Sequence, residues 1–589
     1  MQQTSPRRRT VALVGATAVL ATAAASALAP APAATAAAGT VSAGAESART
    51  SLATSQTTSQ AAAPAKAKAK PTGYARVDDV DVFLADVPGT VTGRVGAPRV
   101  RRVKLEARKG AGWSTVATTK TRKDGSFTFS RVKLRSTTQV RVNAPAASFI
   151  GSRTAAEVKK VAAQKAAAAK RAKKAWKKAK RALADARKSG NKSRIKKARK
   201  KYTAAAGKKL RTAGAARNAA RQARKKPYVA PWSVSPAVTL TVAGKQSVGV
   251  AMLPEIAQQG TSAAAPRNGT IASVRTYPGR GGRKVTLQVE RSGSWSTVRT
   301  AQTDVLGNAV FPVEVGGRYR AKVEAKQGFP AGTTAARTAP KFTPDWEDTF
   351  SGVALDPAKW SSADRGLGNG LRSCAVSGDR ALTVSGGVLR MGVKKDPSRA
   401  GQTCVFKDGK GTHRLPYMVN TQIDTSKNYT FTHGIAAARV KVQSAVGMHS
   451  GFWSHPTTSL VRNNPAKGTE IDVMEYFGDD YHEKGIGAFV HHDVNGTVVK
   501  EGRVFQKTPS LLSTSSTRMS QKYAVYSVEW TPTAYVFRLD GREFHRQTRH
   551  VSQVPQFLAL SLLTSSWELM NLKDFGSTAD VDWVRVWER

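Results

Sequence analysis

The chain has 589 residues, of which 94 are Lys or Arg and only 39 are Asp or Glu, so its formal net charge is +55. A chain of this length is too long for a single hydrophobic core, and we expect two to four domains. The charge bears on solubility and on anionic partners, and it says nothing about the fold.

Residues 1–38 have the pattern of a secretory signal peptide. The basic triplet Arg7-Arg8-Arg9 precedes an apolar, Ala-rich stretch from Val11 to Ala29, whose end offers a small-residue cleavage site. The alternative is an N-terminal membrane anchor. No later segment holds the run of about 18 apolar residues that a membrane span needs, so we expect no second span. We therefore expect a secreted, extracellular protein that could associate with the cell wall. We expect no nuclear role.

Residues 39–72 contain almost no large apolar side chains and are predicted to be a disordered linker, because such a segment cannot bury enough surface to offset its ordering entropy. Further on, the stretch Val103–Ala107 with Trp113–Val116 recurs as Val285–Val289 with Trp295–Val298, and the Gly and Phe that follow keep the same spacing. Apolar alternation broken by Gly-containing turns predicts short antiparallel strands.

The repeat predicts two small β-sandwiches, at 73–243 and 267–341, joined by a second linker at 244–266. They resemble the immunoglobulin-like (Ig-like) or fibronectin-like modules of many secreted bacterial enzymes. We expect the repeated residues Trp113 and Trp295 to lie in the two cores, and a sugar-binding platform is the alternative.

Residues 153–226 interrupt the first sandwich with 29 Lys or Arg against only Glu157 and Asp185. Ala and Lys favour helix, and Ser189-Gly190-Asn191 breaks the pattern near its midpoint. We predict a basic α-helical hairpin with arms roughly 50 Å long at 1.5 Å per residue. Its seam is expected to contain the few large apolar residues: Val161, Trp176, Leu183, Ile195, Tyr202 and Leu210.

Two interpretations of the hairpin stay open. It could bind an anionic cell-wall polymer or another polyanion, in which case counterion release would make the binding sensitive to salt. It could instead be a solvated spacer without a dedicated partner. No motif that reads nucleic-acid sequence is present.

The cysteines are Cys374 and Cys404. In an exported protein an even and sparse count favours one disulfide, and two unpaired buried thiols are the alternative.

Three carboxylates alternate with apolar residues in the segment Gly468–Gly478. Glu470 and Asp472 share one face of a strand, whereas strict alternation would send Glu475 to the other face. One extra residue, a β-bulge at Val473 or Met474, would return Glu475 to the same cleft.

Carboxylates grouped in this way suit the cleavage of a glycosidic bond. One carboxylate attacks the anomeric carbon while another, kept protonated, donates to the leaving oxygen. Like charges in one site raise the pKa of one carboxyl group, which a general acid needs. An edge strand with a solvated acidic face is the alternative interpretation.

The segment resembles the bulge-containing motif of glycoside hydrolase family 16, the form found in laminarinases, agarases and carrageenases. Further matching segments follow in the family's order between Trp346 and Trp587: Trp346–Phe350, Gly451–Trp453, Tyr526–Pro532 and Val581–Trp587. The resemblance implies a β-jelly-roll over residues 342–589, two stacked antiparallel sheets with a cleft across the concave one. The expected fold class is therefore mainly β: this jelly-roll, two small Ig-like β-sandwiches and the inserted helical hairpin.

By position, the resemblance gives Glu470 the role of nucleophile, Asp472 that of assisting acid and Glu475 that of acid/base. His491 on the next strand resembles the family's cleft histidine, with a surface histidine as the alternative. Trp453 and Trp567 are candidate sugar-stacking walls, and either could instead be a core residue.

No cofactor is expected to be required, and no metal ligand is assigned. Some family members bind a structural Ca²⁺ on the convex face, where Asp582 could contribute a ligand, but nothing in the spacing demands the ion.

The sequence thus predicts a secreted, endo-acting, retaining β-glycosidase whose first candidate substrate is β-1,3- or β-1,3/1,4-glucan. Where laminarinases commonly carry Trp-Pro, this chain has Met448-His449-Ser450, which is closer to agarase or carrageenase relatives. A galactan-directed hydrolase and a catalytically inactive jelly-roll lectin or cell-wall adhesin are the alternatives.

Overall fold

A computed structural model describes residues 74–589 apart from 79–81, 97–98, 152, 264–268, 363–364, 367–369, 409–410, 458–467, 495–496, 513–517 and 566–567. The predicted signal peptide, the 39–72 linker and Trp567 lie outside the described residues. The described part is mainly β, with sandwich sheets and two α-helices, which confirms the predicted fold class. None of its helices is long and apolar enough to cross a bilayer.

The first sandwich packs two sheets, of order β1-β3-β6 and β11-β7-β4-β5, around a core that includes Leu105, Phe127, Phe129 and Val140. Its strands are β1 Ala75–Val77, β2 Phe83–Leu84, β3 Gly89–Val95, β4 Arg102–Lys109, β5 Gly112–Lys120, β6 Ser126–Val132, β7 Thr138–Ala144, β8 Ala147–Ile150, β9 Arg153–Thr154, β10 Tyr228–Ala230, β11 Ser233–Val234, β12 Val238–Leu240 and β13 Val242–Ala243.

A helical hairpin is inserted between β9 and β10, and its helices are α1 Ala155–Lys188 and α2 Lys192–Ala223. Both β9 and β10 pair with β8, so the two ends of the insertion meet at its base. Thr154 and Glu157 form a reciprocal cap at the start of α1. Asn191 caps α2, and Gly190 turns the chain with a φ of 63°. Leu210 is exposed rather than in the seam, which corrects that expectation.

The second sandwich has sheets of order β14-β15-β18 and β17-β16-β19-β20. Its strands are β14 Ser247–Pro254, β15 Thr270–Tyr277, β16 Lys284–Arg291, β17 Ser294–Gln302, β18 Asn308–Val313, β19 Arg318–Val323, β20 Gly332–Thr333 and β21 Arg337–Thr338. The repeat extends to the strand register, since β4–β5 and β16–β17 each shift after the equivalent residues Leu105 and Leu287.

Neither repeated tryptophan lies in a core. Trp113 and Trp295 are half-buried on β5 and β17, with the guanidinium groups of Arg141 and Arg320 at 4.3 and 4.1 Å from their rings. Both strands are edge strands, each paired only with its hairpin neighbour, and their outer faces lie away from the core.

The predicted linker at 244–266 is wrong over residues 247–254, which form β14 and pair with β15 along its whole length. Val248, Val250 and Met252 pack on the core of the second sandwich, while Leu253 and Ile256 pack against the C-terminal domain. The small residues of this segment suggested a tether, but its apolar side chains are covered on both faces.

The C-terminal domain stacks two large sheets, of order β25-β26-β40-β31-β36-β37-β38 and β23-β24-β30-β39-β32-β33-β34-β35, which are antiparallel except for the parallel pair β24–β30. Its strands are β22 Trp346–Asp348, β23 Arg365–Gly366, β24 Ala375–Gly378, β25 Thr383–Ser385, β26 Val388–Met391, β27 Val393–Lys395, β28 Thr403–Asp408, β29 Gly411–Pro416, β30 Met418–Asp424, β31 Gly434–Lys441, β32 Met448–Pro456, β33 Glu470–Tyr476, β34 Ile486–Val494, β35 Thr497–Phe505, β36 Ala524–Thr531, β37 Ala534–Leu539, β38 Arg542–Gln547, β39 Gln556–Thr564 and β40 Ala579–Trp587.

One hydrophobic core, with Phe452, Ile471, Met474 and Tyr526 among its members, fills the space between the two sheets. Inward apolar residues therefore leave the alternate residues of β32, β33 and β34 on the outer face of the second sheet. Cys374 and Cys404, both buried, form a disulfide with a Cα–Cα distance of 5.6 Å.

A buried ion pair lies where the segment after β14 meets the first large sheet. Arg439 Nη1 donates to Asp582 Oδ2 at 2.6 Å, and its Nε donates to the carbonyl of Gln258 at 2.8 Å. Because the guanidinium group already neutralises Asp582, this carboxylate does not suit a hard cation such as Ca²⁺, which takes six to eight oxygen ligands.

Candidate active site

A β-bulge in β33 brings the three acidic residues to one face. On the β32 side, Phe452 pairs with Met474 and Trp453 pairs with Asp472, which leaves Val473 as the extra residue. On the β34 side, Asp472 pairs with Phe489 and Glu475 pairs with Gly487, so three residue steps along β33 lie opposite only two along β34. The predicted bulge is confirmed, and the side chains of β33 that line the cleft are Glu470, Asp472 and Glu475.

Glu470 and Asp472 share a histidine. His491 Nε2 lies 3.1 Å from Asp472 Oδ2 and 3.9 Å from Glu470 Oε1. A second histidine, His455, places its Nε2 3.9 Å from the other oxygen of Glu470. His491 therefore lies beside Glu470 and Asp472, and its role as a cleft histidine stays a prediction.

Glu475 is bound from two sides. His449 Nε2 lies 2.9 Å from Oε1, and Lys500 Nζ lies 3.3 Å from Oε2. Arg372 Nη2 donates to His449 Nδ1 at 2.8 Å, and since a guanidinium group can only donate, Nδ1 is the acceptor. The proton of a neutral His449 is then on Nε2, the ring nitrogen that lies 2.9 Å from Glu475 Oε1.

A small residue makes room for this arrangement. Gly487 of β34 lies directly across from Glu475. A methyl group at Gly487 would lie 3.2 Å from Glu475 Cβ and 2.6 Å from a ring carbon of Phe489. Because Gly487 has no side chain, Glu475 fits beside Phe489. The centre of the Phe489 ring also lies 3.5 Å from Lys500 Nζ.

The environments of the three carboxylates push their pKa values apart. Burial raises the pKa of Glu470 to about 8, and the charge of Asp472 adds to the effect. Burial, followed by the charge of Glu475, raises the pKa of Asp472 as well. Burial also acts on Glu475, but His449 and Lys500 outweigh it and lower its pKa to about 2.

In the free protein at neutral pH, the acid proton is therefore held by the Glu470–Asp472 pair, and Glu475 is ionised. The expectation that clustering raises one carboxyl pKa is met at Glu470 and Asp472. It is not met at Glu475, the residue to which the resemblance gives the acid/base role.

Trp453 lies half-buried on the cleft face of β32 and donates from Nε1 to Ser561 Oγ at 3.3 Å. Its ring stands edge-on to that of His455, with the centroids 6.3 Å apart. Trp453 is thus not fully buried, and its role as a sugar-stacking wall stays a prediction. The second candidate wall, Trp567, lies outside the described residues.

The functional contacts of Lys500 and Arg372 were not anticipated. Lys500 could have been found, because Asn495-Gly496 is a strong signal for a two-residue hairpin turn. That turn sets Val494 opposite Thr497 and hence His491 opposite Lys500, which is the observed register. Arg372 reaches the site from a 3₁₀ turn more than 70 residues before His449, a distance along the chain that offers no such signal.

Comparison with known proteins gives a family and a set of relatives. Residues 383–585 match the family described as glycosyl hydrolases family 16. A curated relative, glucan endo-1,3-beta-glucosidase A1 of Niallia circulans, is 22% identical over 270 residues, which cover 41% of this chain and 37% of the relative. The chain thus matches little more than a third of that protein's length.

Solved structures of similar chains include the laminarinase catalytic domain from Thermotoga maritima MSB8, at 16% identity, with 42% of this chain and 98% of that chain covered and a TM-score of 0.33. The endo-beta-1,3-glucanase from Pyrococcus furiosus has 18% identity, with 42% and 95% covered and a TM-score of 0.34.

Proposed function

We propose that the protein is an endo-acting, retaining β-glycosidase, because residues 383–585 match the family described as glycosyl hydrolases family 16. Its proposed substrate is a β-1,3- or β-1,3/1,4-linked glucan, by analogy with the glucanase names of its relatives. The observation that carries the proposal is the bulge in β33, which gathers three carboxylates on one cleft face.

In the proposed reaction, Glu470 attacks the anomeric carbon and forms a glycosyl ester while the bond to the leaving oxygen breaks. Glu475 gives its proton to that oxygen, then takes a proton from the water that hydrolyses the ester. Asp472 hydrogen-bonds Glu470 and holds it in place.

Catalysis has to start from ionised Glu470 and protonated Glu475, which is the reverse of the free protein. One proton must therefore pass from the Glu470–Asp472 pair to Glu475 when substrate binds. Displacement of Lys500 from Glu475 by the substrate would favour that transfer, because it removes a cation that stabilises the ionised form.

A second candidate substrate is a galactan that carries anionic groups. Lys500 and Arg372 lie at one end of the acidic cluster, next to His449, and these two cations could receive a sulfate or carboxylate of the polymer. We further propose that the protein acts outside the cell, as the pattern of residues 1–38 and the disulfide suggest.

The test compares the native chain with its Glu470→Gln and Glu475→Gln variants on laminarin, lichenan, xyloglucan, agarose and carrageenan, with new reducing ends as the readout. We expect cleavage of laminarin or lichenan by the native chain and a loss of at least about 10³-fold in each variant. The matched control is Asp480→Asn, an exposed carboxylate just beyond β33, which should keep full activity. Tight binding without cleavage on every polymer would establish the lectin alternative instead.

A further inference from the structure

The charge of this protein is concentrated in the hairpin. Residues 153–226 carry 29 basic and two acidic residues, a net charge of +27. The C-terminal domain, residues 342–589, carries 29 basic and 25 acidic residues, a net charge of only +4. A general need for solubility would not distribute charge so unevenly, and the candidate active site lies in the part of the chain that is close to neutral.

The two helices are held together by a narrow seam of small residues. Partly or fully buried positions recur at alternating steps of three and four residues, the spacing of a two-helix coiled coil. They are Ala169, Ala172, Trp176, Ala179, Leu183 and Ala186 on α1, and Ile195, Ala198, Tyr202, Ala205, Lys209, Thr212, Ala216 and Ala219 on α2. Even Lys209 is used in the seam, with its ammonium group 3.7 Å from the centre of the Trp176 ring.

Basic side chains cover a large part of the hairpin surface outside the seam. Lys173, Lys174, Lys177, Lys178 and Lys180 are exposed. At 3.6 residues per turn, these five side chains spread over roughly 160° of the circumference of α1. The basic residues of α2 surround its outer side in the same way, so the hairpin is a cationic rod rather than a plate with one basic face.

The charge density of the rod is that of a polyelectrolyte. The helices contain 25 basic and two acidic residues along an arm of about 51 Å at 1.5 Å per residue, or about one net charge every 2 Å. Duplex DNA has about one charge per 1.7 Å. Small anions must gather around such a rod, and their release favours binding to a polyanion.

We propose that the hairpin binds a flexible, linear phosphodiester polymer, which would hold the catalytic domain close to it. A flexible chain can follow charge around the whole rod, whereas a rigid duplex could meet only one side at a time. The hairpin has 19 Lys against 10 Arg, and its aromatic residues, Trp176 and Tyr202, lie in the seam. Its cations are therefore mainly point-charge ammonium groups rather than bidentate guanidinium forks, and its two aromatic rings are not available as stacking surfaces for bases or sugar rings.

The inference does not depend on the proposed hydrolase activity, and it can be tested by binding alone. The probe is purified poly(glycerol phosphate) teichoic acid, with duplex DNA of about 30 base pairs and neutral laminarin for comparison. The test variant replaces Lys173, Lys174, Lys177, Lys178 and Lys180 by Gln, which preserves helix propensity. The matched control replaces five exposed lysines of the C-terminal domain by Gln: Lys394, Lys395, Lys427, Lys484 and Lys573.

For the native chain we expect affinity for the teichoic acid to fall steeply between about 50 and 500 mM salt, with a log–log slope of at least about −5. The hairpin variant should bind at least about 30-fold more weakly at low salt and have a slope smaller by about 3, while its helix content by circular dichroism stays unchanged. Equal weakening in the control variant, or binding that does not respond to salt, would overturn the proposal. Tighter binding to duplex DNA than to teichoic acid would overturn the choice of a flexible polymer.

Discussion

Lys500 is a cation that lowers the pKa of all three carboxyl groups of the candidate site. Its ammonium group contacts Glu475, and it also lowers the pKa of Glu470 and Asp472 from across the cleft. The other titratable or charged groups that face Glu475 are His449 and Arg372 beyond it, with His491 beside Glu470 and Asp472. His449 and Lys500 together thus hold Glu475 in the form that cannot donate a proton.

For Lys500→Met we expect the pKa of all three carboxyl groups to rise, because the cation that favours their ionised forms is removed. In the native chain kcat/KM on laminarin should fall as pH rises through about 8, where Glu470 loses its proton. In the variant that fall should move to higher pH, and kcat/KM near pH 6 should rise several-fold. Lys394→Met, an exposed lysine of the same domain, is the control, and an unmoved alkaline limb in the Lys500 variant would contradict the assignment.

The same shifts predict how stability depends on pH. The folded-state pKa of Glu470 is above its ordinary value of 4.5, so its contribution favours the folded state below pH 4.5 and is lost as pH rises through about 8. Glu475 has the opposite sign: its contribution is present above pH 4.5 and is lost as pH falls toward 2.

Among the elements, the bulged strand β33 could be derived from the sequence and its surroundings could not. The spacing of Glu470, Asp472 and Glu475 is incompatible with a regular strand that uses all three, so a bulge was required. Nothing local, however, sets Gly451 of β32 opposite Glu475, because a long connection separates the two strands. The contact between His449 and Glu475 follows from that pairing and needed the folded structure.

The disulfide ties the 3₁₀ turn Gly370–Cys374, which carries Arg372, to β28. Cys374 and Cys404 are separated by 30 residues, and closing a loop of that length contributes roughly 3–4 kcal/mol in the chain-entropy account. We expect the free energy of unfolding of the double variant Cys374→Ala/Cys404→Ala to be lower by that amount, and its urea midpoint to be lower accordingly. Native protein measured with and without reductant supplies the second comparison, and an unchanged midpoint in both would show that the bridge contributes no stability.

At the scale of the whole molecule, the second sandwich and the C-terminal domain share a hydrophobic cluster. Leu253, Ile256 and Ile271 pack against Trp583 and Trp587, next to the Arg439–Asp582 pair. Composition alone made residues 244–266 look like a tether, because burial on both faces leaves no alternation of polar and apolar residues to recognise. The C-terminal domain is therefore packed directly against its neighbour over this segment.

For Asp582→Asn we expect a loss of about 3–5 kcal/mol in the free energy of unfolding, because Arg439 would remain buried without its counter-charge. Asp580→Asn is the control, since its partner Lys441 has a side chain 36% exposed and the pair should contribute no more than about 1 kcal/mol. Urea titration with added Ca²⁺ or chelator should give the same values for the native chain. A stabilising effect of Ca²⁺ that disappears in the Asp582 variant would show that the carboxylate binds the ion after all.

The base of the hairpin has a consequence for how such a protein can change over generations. Strands β9 and β10 both pair with β8, so the insertion begins and ends at the same strand of the sandwich. Because the seam repeats every seven residues, both helices can gain or lose one repeat together. Such a change moves the tip of the hairpin by about 10 Å and leaves the pairing of β9 and β10 with β8 unchanged. The length of the hairpin can thus change in steps of one seven-residue repeat, without a change in the rest of the chain.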